Sequence, residues 1–307
     1  MEQPITAALQ TSLEVTRKQF LEEIDALRPK LHRFCSRMCG SVLDGEDVVQ
    51  EVLAQAFYNL PSLKNKSRLE PWLFRIAHHK CIDLIRRERR QREETVPYEE
   101  ENEPESAAAE NELEDEPINE TLAALVGELP PKERAAVLLK DVLQYRLAEV
   151  AEVVDSTVGG VKAALHRART KLRTLQAAPS QVELDLRQRN LLEAYVECFN
   201  RRDWDALRRL IQADATLDVV DRFVGKLEEA GYFPNYVALP WEWKLSLGRV
   251  DGEPVILHWK KFGADWRPHA AIRLWWQDGK VVRIKDYVHV DYILRDATTE
   301  VDEAAVD

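Results

Sequence analysis

Leu147-Ala148-Glu149-Val150-Ala151-Glu152-Val153-Val154-Asp155-Ser156-Thr157-Val158-Gly159-Gly160-Val161-Lys162-Ala163-Ala164-Leu165-His166-Arg167-Ala168-Arg169 is the stretch on which the reading of this chain turns. Two apolar runs at helical spacing flank Asp155-Ser156-Thr157, residue types that favour a break followed by an N-cap. Val161, Leu165, Ala168 and Leu172 recur at intervals of four, three and four. They form the inward stripe of an amphipathic helix whose start is capped by Ser156 or Thr157. Lys162, Arg167, Arg169, Lys171 and Arg173 give that helix a basic side. Two short helices, a tight turn and an exposed start to the second make a helix-turn-helix layout, in which the second helix enters the major groove while cations hold phosphates. On this segment alone, an ordinary helical hairpin with a solvated basic face remains an alternative.

Upstream and downstream of this stretch the chain divides by composition. Its 307 residues, 45% hydrophobic, are enough for two or three cores. Residues 1–92 form a helical domain, with Val49, Val52, Ala56 and Leu60 at helical intervals. Residues 93–117 lack large apolar side chains, and from Glu99 to Glu116 there are ten acids and no Lys or Arg. Such a segment cannot offset its ordering entropy and reads as a flexible acidic linker. Residues 118–176 form the second helical domain, and 177–186, with Ala177-Ala178-Pro179-Ser180, a short linker. Residues 187–297 read as α+β, with helices over Leu186–Phe199 and Asp203–Ile211 and then strands. Trp241, Trp243, Leu245 and Leu247 alternate with polar residues, and Val255–Lys260, Ala270–Gln277 and Val281–Val290 follow, with an Asp278-Gly279 hairpin turn. Residues 298–307 read as an acidic tail. The expected fold is multidomain: two all-α domains, the second with the helix-turn-helix, then an α+β cone with a curved antiparallel sheet.

The net charge of −11 opposes phosphate binding as a sum, but the charge is segregated: Arg86, Arg87, Arg89, Arg90 and Arg92 fall within seven residues. Four scattered cysteines form no disulfide framework and read as reduced thiols. The start of the chain has no leader pattern and no apolar run reaches a membrane span, so a cytoplasmic location without a membrane partner is expected. His258, His269 and His289 lack metal spacing, His32, Cys35 and Cys39 make only an incomplete zinc set, and no cofactor is expected.

Glu128-Leu129-Pro130-Pro131-Lys132-Glu133-Arg134, followed by the helix pair and its His166-Arg167-Ala168-Arg169 close, resembles the domain of extracytoplasmic-function (ECF) sigma factors that reads the promoter −35 element. Gly160 departs from the commoner alanine or small β-branched residue. The resemblance implies −35 contacts from Ser156, Thr157, Gly160, Lys162, Ala163, Arg167, Arg169 and Lys171. Asp44-Gly45-Glu46-Asp47-Val48-Val49-Gln50-Glu51-Val52 resembles the sigma segment that docks on the clamp helices of the polymerase largest subunit. Asp47, Gln50, Glu51 and Ala54 share one helical face, so the first three are assigned to polymerase; a solvated face is the alternative.

Pro71-Trp72-Leu73-Phe74-Arg75-Ile76-Ala77-His78-His79-Lys80-Cys81-Ile82-Asp83-Leu84-Ile85-Arg86-Arg87 resembles the sigma helix that opens the −10 element. Melted bases need aromatic or cationic surfaces beside a phosphate-neutralising groove. The resemblance places Lys64, Lys66, Arg68, Trp72, Arg75, His79, Asp83, Arg86, Arg87 and Arg90 there, although Trp72 and Phe74 also suit a core. His78-His79 stands where the family usually has Arg-Asn. In this family the linker threads the polymerase's RNA path; a solubilising spacer would have the same composition.

Residues 187–296 resemble the SnoaL-like, nuclear-transport-factor-2-like family through Cys198-Phe199-Asn200-Arg201-Arg202-Asp203-Trp204-Asp205-Ala206-Leu207 and Trp275-Trp276-Gln277-Asp278-Gly279-Lys280-Val281-Val282. Such cones commonly enclose a pocket. Val282, Ile284, Asp286, Val288 and Val290 share one strand face, so Asp286 interrupts an apolar row. Trp259, Trp276 and Asp286 are the pocket candidates; a carboxylate that only bonds neighbouring backbone is the plainer reading of Asp286. The resemblance implies a non-catalytic promoter-recognition subunit, with a third domain that regulates it. Implied partners are bacterial core RNA polymerase (clamp helices and flap), promoter DNA in double-stranded and melted form, and an anti-sigma protein or a small ligand. The Pro-rich linker and glycine-rich motifs of one group with such a fusion are absent. The rival readings are a one-component DNA-binding regulator with a ligand sensor, and a SnoaL-like isomerase or hydrolase with helical accessory domains.

Overall fold

A computed structural model describes residues 22–59, 68–92, 127–174 and 186–301. They fall in two compact units, Met1–Ala177 and Ala178–Asp307. The expected linker over 93–117 lies outside the described residues, as do Lys64 and Lys66.

The first unit holds α1 (22–39), α2 (Val42–Asn59), α3 (Leu69–Arg92), α4 (Pro131–Val137), α5 (Leu147–Val153) and α6 (Val158–Thr174). Proline opens α4, where its missing N–H is no loss, and the helix widens to π geometry over Leu138–Val142. The Glu149 carboxylate reaches back to the Arg146 N–H at the start of α5, satisfying a donor that the first turn leaves free. Helices this short depend on packing rather than propensity.

That packing joins the two expected helical segments. One apolar core runs from Phe34 and Met38 of α1, through Val49 and Val52 of α2 and Leu73, Phe74 and Ala77 of α3, to Ala135, Leu139, Val150, Val161, Leu165 and Leu172 of the later helices. The Phe74 ring lies 5.4 Å from that of Tyr145, and the Arg134 guanidinium donates to the carbonyls of Met38, Gly127 and Leu129. Aromatic area and backbone carbonyls at the end of α1 thus bind the two halves together, a pairing that local periodicity cannot reveal.

The second unit begins with α7 (Leu186–Asn200) and α8 (Trp204–Leu210), the latter capped by Asp203, which accepts from the Ala206 N–H. Among the described residues the sheet has seven strands: β1 (Ile211–Val219), β2 (Phe223–Lys226), β3 (Trp243–Val250), β4 (Glu253–Phe262), β5 (Asp265–Gln277), β6 (Lys280–Asp286) and β7 (Thr299–Val301), with α9 (Tyr232–Val237) between β2 and β3. Their order is β2-β1-β6-β5-β4-β3-β7, antiparallel except for the parallel β1–β6 pair. Asn200 closes α7 onto the sheet, its amide donating to the Leu245 carbonyl and accepting from the Leu245 N–H, both at 2.8 Å. The Asp278-Gly279 hairpin forms as expected, both residues at positive φ, and Asp251-Gly252 makes the same turn between β3 and β4.

Three expectations are corrected here. Ile211 begins β1 instead of ending a helix. Thr299–Val301, assigned to the tail, pairs with β3, where Gly248 admits it: a Cβ at that position would lie 2.6 Å from the Glu300 carbonyl oxygen. The apolar row of β6 is broken by a bulge, since Trp275 pairs with Arg283 and Trp276 with Val281. Val281, not Val282, therefore joins Ile284 in the core.

Gly45 lets α2 cross α1 at close range, because a Cβ there would lie 2.5 Å from the backbone of Ser36. Gly45→Ala is expected to lower the stability of the helical unit by about 1–3 kcal/mol in urea melts. Gly159→Ala, where a Cβ would make only ordinary contact with the Thr157 hydroxyl at 3.8 Å, should be neutral or stabilising by up to about 1 kcal/mol.

Candidate nucleic-acid interface

Thr157 is the cap of α6: its hydroxyl accepts from the Gly160 N–H at 3.0 Å, and Val161, Leu165, Ala168 and Leu172 are buried along the expected stripe. Ser156, Thr157, Gly160, Lys162 and Ala163 lie at or near the surface around the first two turns. A Cβ on Gly160 would lie 2.6 Å from the Ser156 hydroxyl, so glycine keeps this end slim. The basic side is less free than its composition suggests. Arg169 forks onto Asp141, with contacts of 3.1 and 2.7 Å, and the two side chains are 12% and 1% exposed. Arg167 bonds Glu133 at 2.7 Å, and Lys171 donates to the Glu128 carbonyl. Arg169 is thereby corrected from a groove contact to a brace between α6 and the π turn, because the same helical face that carries Leu165 and Leu172 turns it inward.

On α2 the buried stripe is as expected, with Asp47 and Gln50 half-buried and Glu51 exposed. Gln50 donates to Glu46 at 2.7 Å and Lys80 of α3 pairs with Glu51 at 3.0 Å. Glu46, unremarked in the sequence, is fully buried and held by Arg28 at 2.6 Å. A buried acid beside a polar stripe cannot be told from a surface acid by spacing alone. On α3, Arg75, His79, Asp83, Arg86, Arg87 and Arg90 are exposed, whereas Phe74 is core and Trp72 packs half-buried against it. Arg86 and Arg90 form a local pair, the Arg90 guanidinium donating to the Arg86 carbonyl.

Where the two halves meet, Glu70 accepts from Lys30 at 2.5 Å and from the Tyr145 hydroxyl at 2.6 Å. Burial alone would raise its carboxyl, but these two donors hold it below the ordinary range. Lys30 also lies over the Tyr145 ring at 4.4 Å. Arg68 pairs with Glu152 at 2.7 Å, and Asp155 takes Arg75 at 2.7 Å and His79 at 2.9 Å. His78, beside them, is buried with no hydrogen-bond partner among the described residues. Desolvation and the neighbouring His79 push it down to about 4, so it is neutral at pH 7.

In the second unit the structure does not assemble the expected Trp259, Trp276 and Asp286 set. Trp259 follows the core-facing His258 on β4 and points to the opposite face, where its indole donates to Ser246 at 2.8 Å. Trp276 packs against the core from its edge. Asp286 is fully buried and accepts from the hydroxyls of Tyr232 at 2.7 Å and Tyr236 at 2.6 Å and from the Val288 N–H at 2.9 Å. Desolvation raises it to about 6 despite those three donors. The tyrosines come from α9, which the sequence reading left unassigned; Tyr232-Phe233-Pro234-Asn235-Tyr236, with rings four apart, was the available signal. Fully buried His258, pushed down to about 3 chiefly by burial, stacks on Trp243 at 6.2 Å.

A family model for sigma-70 region 2 matches residues 24–91, and one for sigma-70, region 4 matches residues 119–172. The chain is 30% identical over 228 residues to the ECF RNA polymerase sigma factor SigG of Mycobacterium tuberculosis, covering 65% of this chain and 60% of SigG, so it spans less than two thirds of that relative. It is 32% identical over 167 residues to SigD of the same organism, covering 51% of this chain and 76% of SigD. The crystal structure of the Mycobacterium tuberculosis extracytoplasmic function sigma factor SigJ aligns over 87% of this chain and 95% of that chain, at 20% identity and a TM-score of 0.31.

Two expectations follow from these sites. Removing the Arg169 side chain leaves Asp141 buried without its partner, so Arg169→Ala should cost about 3–5 kcal/mol of stability in urea melts, an effect that a solvent-facing groove residue would not produce. Asp286 has a folded pKa above its unfolded value, so the fold favours its protonated form. Its contribution is most favourable below pH about 4 and is lost as pH rises through about 6. The second unit should lose roughly 3 kcal/mol across that window, and Asp286→Asn should flatten the slope in melts taken from pH 4 to 7.

Proposed function

Because the chain belongs to the ECF RNA polymerase sigma factor family, we propose that it directs bacterial core RNA polymerase to specific promoters and helps to open the −10 element. The observation that carries this reading is a capped, slim-ended α6 with outward Ser156, Thr157 and Lys162, in one chain with an α2–α3 pair that presents an acidic stripe and a run of exposed arginines. A plain operator-binding regulator accounts for the first feature and has no use for the second.

In this assignment the start of α6 reads −35 base edges through Ser156, Thr157, Gly160, Lys162 and Ala163, with Arg167 and Lys171 at the phosphates. Arg86, Arg87 and Arg90 hold the backbone beside the −10 element, while Arg68, Arg75, His79 and Asp83 face the melted strand and Trp72 supports them from the core; the resemblance gives Lys64 and Lys66 the same role. Asp47, Gln50 and Glu51 dock on the clamp helices, and the helix-turn-helix half on the flap. The second unit regulates promoter engagement and performs no chemistry: among its described residues the one acid with a raised pKa, Asp286, is enclosed and already bonded on both oxygens. An anti-sigma protein or a small ligand is the further partner, and the site of action is the cytoplasm.

Run-off transcription on a promoter selected from transcripts made in vitro tests the proposal. Core polymerase with the full chain should yield a promoter-specific product, and Lys162→Ala should lower it roughly tenfold without loss of polymerase binding. Truncation after residue 180 should change promoter activity with polymerase binding intact. No product above that of core polymerase alone would remove the proposal.

A further inference from the structure

In the second unit, the sheet face turned away from His258 carries rings and cations together. Trp259 of β4 and Trp266 of β5 lie on that face, and neither belongs to the main apolar core. Lys244 is opposite Trp259 across the β3–β4 pair, and Lys261 is opposite Trp266 across β4–β5. The Lys244 ammonium stands 5.9 Å from the centre of the Trp259 ring and 5.4 Å from that of Trp266, so one cation serves two half-buried indoles. At the tip of the β4–β5 hairpin, Phe262 is 46% exposed, with the Arg267 guanidinium 5.7 Å from its ring. A single exposed ring needs no explanation, but three at one end of a sheet, each with a cation within about 6 Å, make a patch. Lys244, Lys260, Lys261 and Arg267 there outnumber Glu242 and Asp265, in a chain whose net charge is −11. Lys244 pairs with no carboxylate among the described residues.

We propose that this end of the sheet is a stacking platform for single-stranded DNA, with bases on Trp259, Trp266 and Phe262 and phosphates on Lys244 and Arg267. Every base has a flat π face, so indoles accept bases without regard to sequence while neighbouring cations neutralise the backbone. The Trp259 ring is already fixed for this, since its indole donates to the Ser246 hydroxyl at 2.8 Å. That hydroxyl in turn donates to the Leu247 carbonyl at 3.1 Å, so it is not free to read a ribose 2′-hydroxyl. DNA is therefore the strand assigned, and the proposed function supplies it, because opening the −10 element releases an unpaired strand. The inference rests on that function for the source of the strand, whereas affinity for a free strand is independent of it.

Fluorescence anisotropy of a labelled oligothymidine of about fifteen residues, added to the full chain without polymerase, tests the platform. The chain carries Arg86→Ala, Arg87→Ala and Arg90→Ala, which removes the phosphate contacts proposed for α3. Binding should be saturable. Trp266→Leu, which keeps apolar bulk but no ring, should raise Kd about fivefold or more, and Trp266→Tyr should stay within about twofold. Lys244→Gln should lower the slope of log Kd against log salt by about 0.7. No saturable binding, an affinity that Trp266→Leu leaves unchanged, or an equal loss in Trp266→Tyr would each overturn the platform. An oligouridine bound more tightly, with the same dependence on Trp266, would overturn the assignment to DNA. Self-association that Trp266→Leu abolishes, with DNA affinity unmoved, would make the face an interface between copies and overturn it as well. Absence of promoter-specific transcription, measured separately, would remove the proposed function and leave these affinities to decide the platform.

Discussion

Arg134 is the constraint on which the helical unit depends. Its guanidinium leaves solvent and is held by carbonyls from both sides: Met38 at the end of α1, and Gly127 and Leu129 before α4. Burying a cation is costly without such acceptors, so residues 127–134 can pack in this way only if the end of α1 is beside them. The carbonyl of Met38 at a helix C-terminus is a favourable partner for positive charge. Around this point the Phe74–Tyr145 ring contact and the Lys30–Glu70–Tyr145 group complete a junction that is apolar in its interior and charged at its edge. Everything assigned to DNA on α3 and α6 takes its position from that junction.

The second unit is organised around a different contradiction, an acid inside an aromatic core. Phe199 touches Trp204, Tyr232, Phe233, Tyr236 and Trp243 with ring centroids 4.8 to 6.2 Å away. Asp286 survives there because two of those rings carry hydroxyls that donate to it, and the raised pKa records how much of the desolvation they leave uncompensated. The arrangement fixes α9 against β6 more firmly than apolar packing alone, since each tyrosine must keep its ring in the core and its hydroxyl on the carboxylate.

Much of this architecture was legible in the residues. The α6 stripe, a cap at Ser156 or Thr157 (a role that Thr157 takes), the apolar stripe of α2 and the Asp278-Gly279 hairpin all follow from local periodicity and turn chemistry. What was not legible depends on contacts distant in sequence. Nothing near Arg169 shows that Asp141 turns it inward, and nothing near Asp286 shows that Tyr232 and Tyr236 will arrive from a helix fifty residues earlier. Strand β1 escaped because Ala213 and Ala215 carry little alternation signal, and the β6 bulge reversed an otherwise regular pattern. The union of two helical modules across an acidic segment is likewise a property of the junction and of no segment within it.

The proposed function makes the chain one part of a larger enzyme. Its acidic stripe has Asp47 and Gln50 half in the structure and Glu51 at the surface, so one exposed position reports on docking with least disturbance to the fold. The most direct measurement is therefore equilibrium binding of the labelled full chain to bacterial core RNA polymerase at modest salt, beside Glu51→Lys. Saturable association that the substitution weakens at least tenfold is what the account predicts. No saturable association, or association indifferent to Glu51, would contradict it.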